Sequence, residues 1–583
     1  MQLTQLLFIF LMPTILWGQQ LSKKEATAKA NAALAEAQMA EAIKAIKAAE
    51  KTKNLAVALC CNRHHDLYLH DRYTYLQDKQ ALEKQQSYYA QKKRSNKDDL
   101  APLAARILAE KERLAEKERQ LKNKGLSLAE SFAIKSIRAS DLELKVFFAK
   151  EAYHLHTTSG GSLINYFVYQ AVYTTCALLE ETKNDKLDFN VLDQPPEGYN
   201  RIARIRSIKV DKEQNNCYTI GSDRLLLKWK FASDSSSNKK ASNQPKVLAR
   251  DKTFIRTLDI SPNGEQLARA GDGDTIWITD TKSGQTIKKL KRHNKRRIWD
   301  LKYSPDGNRI LTAEEDGAGG TFINSINIED GNTSMIERMP DRIASLAISN
   351  DGKYLAATGK SSEVWIWNLA SQCHDFILSA SNWDKRATAV AFSPEGNLLV
   401  VGYQSGTLIV WDIHKMKVDS SYTPRKLWRH KGSISGLEFN TDGTLLLAGS
   451  LDKTATIWTM HDKTYKGDNI DRLFPYLDPS YYPVELKNHK DWVTAVAFSS
   501  DGSKVITGTA SGTLKIWEVD VSTYLNKINE LFVSTKNSED TYKIWSLYIG
   551  IDAPYKNLSR RKLYLDYLKA SKQYVGGLNT QSE

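Results

Sequence analysis

One turn signal keeps returning along the second half of this chain: Asn263-Gly264, Asp306-Gly307, Asp351-Gly352, Glu395-Gly396, Asp442-Gly443 and Asp501-Gly502. The successive glycines are 43, 45, 44, 47 and 59 residues apart. An acidic or amide residue followed by glycine favours a tight turn, because glycine takes a left-handed backbone without steric cost. Before each turn lies a strand of alternating polarity, such as Ala387–Phe392. After it come a second strand and then a third, which commonly ends at tryptophan, as in Leu514–Trp517. A period of two excludes helix here, and a repeat of about 40–45 residues is the length of one four-stranded propeller blade. A more degenerate seventh unit comes first, with strands Ile205–Val210 and Leu225–Trp229. The expected fold is mainly β: a seven-bladed β-propeller over residues 186–520, with an α-helical region before it and a short helical tail after it.

Such a ring must close, since an open strand edge invites association with other chains. The last unit supplies three strands and runs out near Val519. Residues 187–192 lie where an outer strand precedes the first unit, so they are expected to pair with Leu514–Trp517. The unit Ala391-Phe392-Ser393-Pro394-Glu395-Gly396, followed by Gly406-Thr407-Leu408-Ile409-Val410-Trp411-Asp412, resembles a WD repeat. So do the units ending at Trp229, Trp367, Trp458 and Trp517. In that family a histidine before the first strand, an aspartate in the turn before the third and the closing tryptophan brace each blade. His430, Asp452 and Trp458 match all three positions. His489 and Trp517 match with Ser511 at the aspartate position; Asp223 and Trp229 match without the histidine. Trp411 and Asp412 close a further unit, and the third unit lacks the tryptophan. The resemblance implies a structural role for these residues.

The flanks read differently. Leu6 to Trp17 is almost wholly apolar and ends at Gly18, which suits a cleavable export signal of residues 1–18, although residues 1–5 carry no Lys or Arg. No cysteine follows for a lipid anchor, and no later apolar run is long enough to span a bilayer. Residues 19–185 read as helical and in part coiled coil. Leu34, Met39, Ile43 and Ile46 recur at helical spacing, and Leu100, Ile107, Leu114 and Leu121 recur every seven residues. Gly125 is expected to end that helix. Ser127 with Glu130 and Ser140 with Glu143 are expected to cap later ones, and Ser162 to open the last after the Gly160-Gly161 break. The stretch from Ser131 through Tyr153 to Ala171 resembles the helical segment ahead of the propeller in large bacterial multi-domain WD-repeat proteins. Residues 521–583 are expected to form the C-terminal helical tail.

No catalytic constellation emerges. Neither a Gly-x-Ser-x-Gly elbow nor a phosphate loop occurs, so no catalytic residue, cofactor or metal ligand is assigned. Cys60, Cys61, His64 and His65 could pair at helical spacing, but they point in different directions and lack further ligands. His154 and His156 are expected at the surface. Gly271-Asp272-Gly273-Asp274 mimics a calcium loop without its remaining ligands. Five cysteines in 583 residues make no disulfide framework. The formal charge of +14 points to anionic partners without naming one, and no nucleic-acid-binding motif accompanies it.

The expected function is a non-enzymatic interaction scaffold, exported to the periplasm or cell surface, soluble or membrane-associated through a complex. A six-bladed TolB-like envelope component and a docking subunit of an enzyme assembly are the alternatives. The loops before the first strands carry Lys252, Arg256, Lys295, Arg296, Arg297, Arg342, Lys385, Arg386, Lys431 and Lys490. Six of the seven units thus repeat one charge sign at one position, with Trp299 and Trp492 beside them. Arg297, Trp299, Arg342, Arg386, Lys431 and Trp492 are the candidate residues for an acidic protein partner.

Overall fold

The computed structural model describes residues 74–91, 101–182 and 191–533 apart from residues 231–243, 461–482 and shorter breaks. The apolar N-terminal segment, Cys60, Cys61, His64, His65, Leu100, Lys295 and Lys385 lie outside the described residues. So do the aromatic insertion with Phe474, Tyr476, Tyr481 and Tyr482, and the tail with Leu558, Leu565 and Leu568. Among the described residues no helix is long and apolar enough to cross a membrane. The chain divides into two compact units, residues 1–121 with 536–583 and residues 122–535.

In the first unit a helix over 74–91 packs along the start of the helix Ala101–Arg138. Ile107 and Leu114, two members of the seven-residue stripe, are buried with Leu82, and Tyr75, Tyr89 and Leu103 lean on them. Asp78 receives Lys117 at 2.9 Å and Arg113 at 3.3 Å across the pair. This is a helical hairpin. Gly125 does not end its longer helix, which continues to Arg138. A mid-helix glycine costs about 1 kcal/mol, a cost that burial of Ala129, Phe132 and Ala133 in the next turns outweighs. Ser127 is therefore no cap.

The second unit holds seven four-stranded antiparallel sheets. Their first strands are Ile205–Val210, Ile255–Ile260, Ile298–Tyr303, Ile343–Ile348, Ala387–Phe392, Ile434–Phe439 and Val493–Phe498. Seven blades, where a TolB-like molecule has six, remove that alternative. The turn glycines all join first to second strands, with φ of 77° at Gly264, 74° at Gly307, 70° at Gly352, 74° at Gly396, 73° at Gly443 and 71° at Gly502. A side chain there would be strained. Apolar clusters fill the gaps between neighbouring blades; one joins Trp367 and Leu355 to Leu311 and Ile323, another joins Trp458 and Leu446 to Val400 and Leu408.

The ring closes through its N-terminal strand. Val191 pairs with Lys515 and Leu192 with Leu514, antiparallel, so residues from the start of the repeat region complete the last blade. On the inner side the Thr494 hydroxyl donates to the Ile205 carbonyl at 2.6 Å, across 289 residues of sequence. Thr388 and Ser435 repeat this bond to Ile434 and Val493, both at 2.7 Å. Deleting residues 186–193 should sharply lower the melting temperature, while Thr494→Val, which orphans one buried carbonyl, should cost about 1–3 kcal/mol. Urea unfolding would check both, and an unchanged midpoint in the deletion would refute closure by this strand.

Candidate functional site

In an antiparallel blade the loop before the first strand and the loop after the second share one face. A hydrogen bond ties the two loops in every blade: Ser222, Asp272, Glu315, Lys360, Gln404, Leu451 and Ala510 donate to the carbonyls of Arg204, Phe254, Arg297, Arg342, Arg386, Ser433 and Trp492, at 2.8–3.1 Å. These bonds fix the basic loops in place on one face.

Buried braces hold the same loops from beneath. In the sixth blade His430 Nδ1 lies 3.1 Å from Asp452, its Nε2 lies 2.9 Å from Thr456 Oγ1, and Trp458 donates to that hydroxyl at 2.9 Å. Burial alone would raise the Asp452 carboxyl, but bonds from His430, Thr454 and the Lys431 amide hold it well below the usual range. In the seventh blade His489 and Trp517 meet at Thr507 Oγ1, at 2.9 and 3.0 Å, and Ser511 bonds to Thr509 at 3.0 Å. Trp229 reaches Thr219 at 2.8 Å. Trp367 instead donates to Glu337 at 3.2 Å. Trp411 packs in the core between the fourth and fifth blades, and Asp412 caps the short helix Ile413–Val418 by accepting the His414 and Lys415 amides.

Two blades that lack the family pattern carry ion pairs in its place. Arg269 reaches Asp251 at 2.8 Å and donates to the Thr279 hydroxyl. In the third blade Arg292 reaches Glu314 at 2.8 Å, and Thr312 donates to the same carboxylate at 2.9 Å. Sequence reasoning missed both, because it looked for histidine and tryptophan; an arginine at the fourth position of a second strand was the available signal for Arg269.

On the face itself Arg342 and Arg256 lie over the Trp299 ring, 3.7 and 4.7 Å from its centre. Arg256 makes a two-pronged contact with Asp272, which also lies 3.6 Å from Arg297. Arg297 further meets Glu315 at 3.8 Å. Desolvation, then Arg386 and Arg256, pulls the Arg342 guanidinium down from its ordinary value; desolvation, then Arg256 and Arg204, does the same to Arg206. Thus Trp299, Arg342 and Arg386 fall in one cluster, joined by Arg206 and Arg256. Arg297 borders it but is engaged by carboxylates. Lys431 and Trp492 belong to the sixth and seventh blades; Lys431 is exposed, and Trp492 is 46% exposed. Asp272 of the calcium-like turn serves Arg256.

The opposite face carries helices. In Tyr166–Thr182, which starts one turn later than expected and is capped by Asn165 at the Val168 amide, Tyr169 donates to the Glu518 carbonyl at 2.7 Å. Gln170 donates to the Glu485 carbonyl at 2.7 Å. Tyr173 packs on Trp517 and on Tyr524 of the following helix Ser522–Val533. His156, expected at the surface, is buried, because its ring lies over Gly161.

Four stretches match the family model described as WD domain, G-beta repeat: residues 284–318, 376–412, 422–459 and 482–518. These four stretches of the propeller are WD40 repeats. The chain is similar to Pre-mRNA-processing factor 19 of Oryza sativa subsp. japonica, 24% identical over 33% of this chain and 35% of that protein. It is similar to Target of rapamycin complex subunit LST8 of Mus musculus, 23% identical over 48% of this chain and 79% of that protein. It also resembles Anaphase-promoting complex subunit cdc20 of Dictyostelium discoideum, 24% identical over 49% of this chain and 52% of that protein. Against the rice protein and jouberin of Mus musculus, the match spans only 35% and 18% of the relative's length.

Two expectations follow from the braces. Burial, reinforced by the Lys515 ammonium, pulls the His489 imidazole down to about 4. An unfolded histidine titrates near 6.5, so the unfolded chain takes this proton first as pH falls. The stability is intact above about pH 6.5 and is lost toward about pH 4. His489→Gln should flatten the fall of melting temperature across that window; identical slopes would contradict it. Glu314→Ala should cost about 3–5 kcal/mol by leaving Arg292 buried and unpaired, whereas Arg292→Met with Glu314→Leu should recover most of it. Urea midpoints compare the two, and a mild effect of Glu314→Ala would show that Arg292 escapes to water.

Proposed function

We propose that this chain is a non-enzymatic scaffold that docks an acidic protein partner on the face formed by the loops before the first strands. The observation that carries this reading is that guanidinium groups from the second and fourth blades, Arg256 and Arg342, close on Trp299, with Arg206 and Arg386 beside them and Asp272 paired to Arg256. Among the described residues the helices of the propeller unit pack on the other face. Binding in such folds lives in loops held by a rigid frame. Two of the relatives are named as subunits of complexes, which supports an interaction role. The apolar segment Leu6–Trp17 supports export, and with it a place in the periplasm or at the cell surface of a bacterial envelope.

The test is affinity capture from the producing cells with wild type and an Arg297→Glu, Arg342→Glu, Arg386→Glu variant in parallel. A partner held by wild type, released as salt rises and lost by the folded variant is expected. The same partner on both proteins, insensitive to salt, would place the site on another surface. Export would give a mature chain beginning at Gln19 in the envelope fraction, which N-terminal sequencing reads.

A further inference from the structure

Three of the arginines around Trp299 have no carboxylate within ion-pair reach among the described residues: Arg206, Arg342 and Arg386. They stand at the starts of the first strands of the first, fourth and fifth blades, whose inner strands touch their neighbours around the channel, so all three lie toward one mouth of it; Arg342 feels Arg386 there, and Arg206 feels Arg256. Bringing like charges together is costly unless an anion offsets them. Two polar atoms mark where that anion would sit. Trp299 Nε1 and Arg386 Nε are both buried, and neither has a hydrogen-bond partner among the described residues. A buried donor left unmade is expensive, and few survive without a purpose. The guanidinium planes already cover the ring face, so the indole N–H is the remaining polar group that Trp299 offers.

We propose that Trp299, Arg342, Arg386, Arg206 and Arg256 form an anchor pocket for the carboxylate side chain of an acidic peptide. The pocket accepts the oxyanion at the unmet N–H groups of Trp299 and Arg386, with Arg342 and Arg206 supplying its counter-charge. Guanidinium planes hold carboxylates through paired N–H bonds, stronger than bonds between neutral groups. Phe254, 48% exposed in the loop before the second blade, offers an apolar contact for the residue beside the acid. A compact cluster at a channel mouth fits one anchoring side chain better than a polyanion, which needs charge spread along a track. This deepens the scaffold reading and rests on it.

Fluorescence anisotropy of the full chain with a labelled Glu-rich peptide tests the pocket. The same peptide with Gln for Glu, a phosphoserine-for-Glu version and a single-stranded oligonucleotide are the comparisons. The Glu peptide should bind with an affinity that falls as salt rises, and the Gln peptide should not. Trp299→Phe keeps the ring and removes the N–H; it and Arg386→Gln should each weaken binding about tenfold. Lys282→Gln, exposed in the turn between the third and fourth strands of the second blade on the other face, should change little. Equal binding of the Gln peptide, tighter binding of the phosphopeptide or oligonucleotide, or unaltered affinity in both pocket variants would overturn the proposal. Circular dichroism melts like wild type's exclude unfolding as the cause. If Trp299→Phe binds the captured partner normally while the triple reversal loses it, the pocket fails and the face stands; if neither loses it, the face fails.

Discussion

A blade of three strands leaves a row of backbone donors and acceptors along its outer edge, and everything on this propeller depends on that row being covered. The seventh blade ends at Glu518, and the pairing of Val191 and Leu192 with Lys515 and Leu514 supplies the missing strand. Because this strand comes from the start of the repeat region, neither end of the ring can fray without opening the other. The hydroxyl seam at Thr494 and Ile205 sets the same junction from the channel side. The helix Tyr166–Thr182 then covers the end of the last blade through Tyr169 and Tyr173, so the weakest point of the ring is bound from three directions.

The blades reach the same rigidity by different chemistry. Where histidine, threonine and tryptophan meet at Thr507 the brace is a neutral network beneath the loop, while at Thr456 the Asp452 carboxylate joins it. Where histidine is missing, Arg269 with Asp251 and Arg292 with Glu314 do the same from a charged pair. A buried pair depends on both members being present, and a neutral network is sensitive to acid, because burial disfavours the imidazolium form. The two kinds of brace therefore fail under different conditions, although they hold equivalent loops.

The repeat length, the turn glycines and the strand alternation were legible because each is a local rule repeated in at least six units. Closure by residues 187–192 was legible from counting strands, and the described pair Val191–Leu192 sits where that count required. Gly125 and Ser127 misled, because helix punctuation is a weak preference that packing overrides. His156 misled because nothing in its neighbours told that its ring would cover Gly161. At the candidate site the repeating charge sign in the loops was visible, but the membership of the cluster was not. Arg256, counted among the loop charges in the sequence, and Arg206 belong to first strands, and the ring brings Arg206 beside Arg256 and Arg256 beside Arg342. Arg297, by contrast, stands in the right loop but faces Asp272 and Glu315, which come from the loop and strand across its own and the neighbouring blade.

The same ring geometry separates the charge at the channel mouth from the charge within it. Inside, Lys209 lies 2.9 Å from Asp259 and feels Glu438 of the sixth blade, which flanks the seventh on its other side. Burial works against the Lys209 charge, yet Asp259 and Glu438 hold its ammonium above the ordinary range. Lys302 lies 3.5 Å from Asp300. The interior thus pairs opposite charges that hold first strands together, with Asp300 also accepting the Leu346 amide at 2.8 Å and Asp259 the Tyr303 amide at 2.9 Å. At the mouth Asp272 and Glu315 answer Arg256 and Arg297, while Arg206, Arg342 and Arg386 make no ion pair among the described residues. An excess of positive charge at one end of the channel would draw an anion toward that end, as the proposed docking face requires.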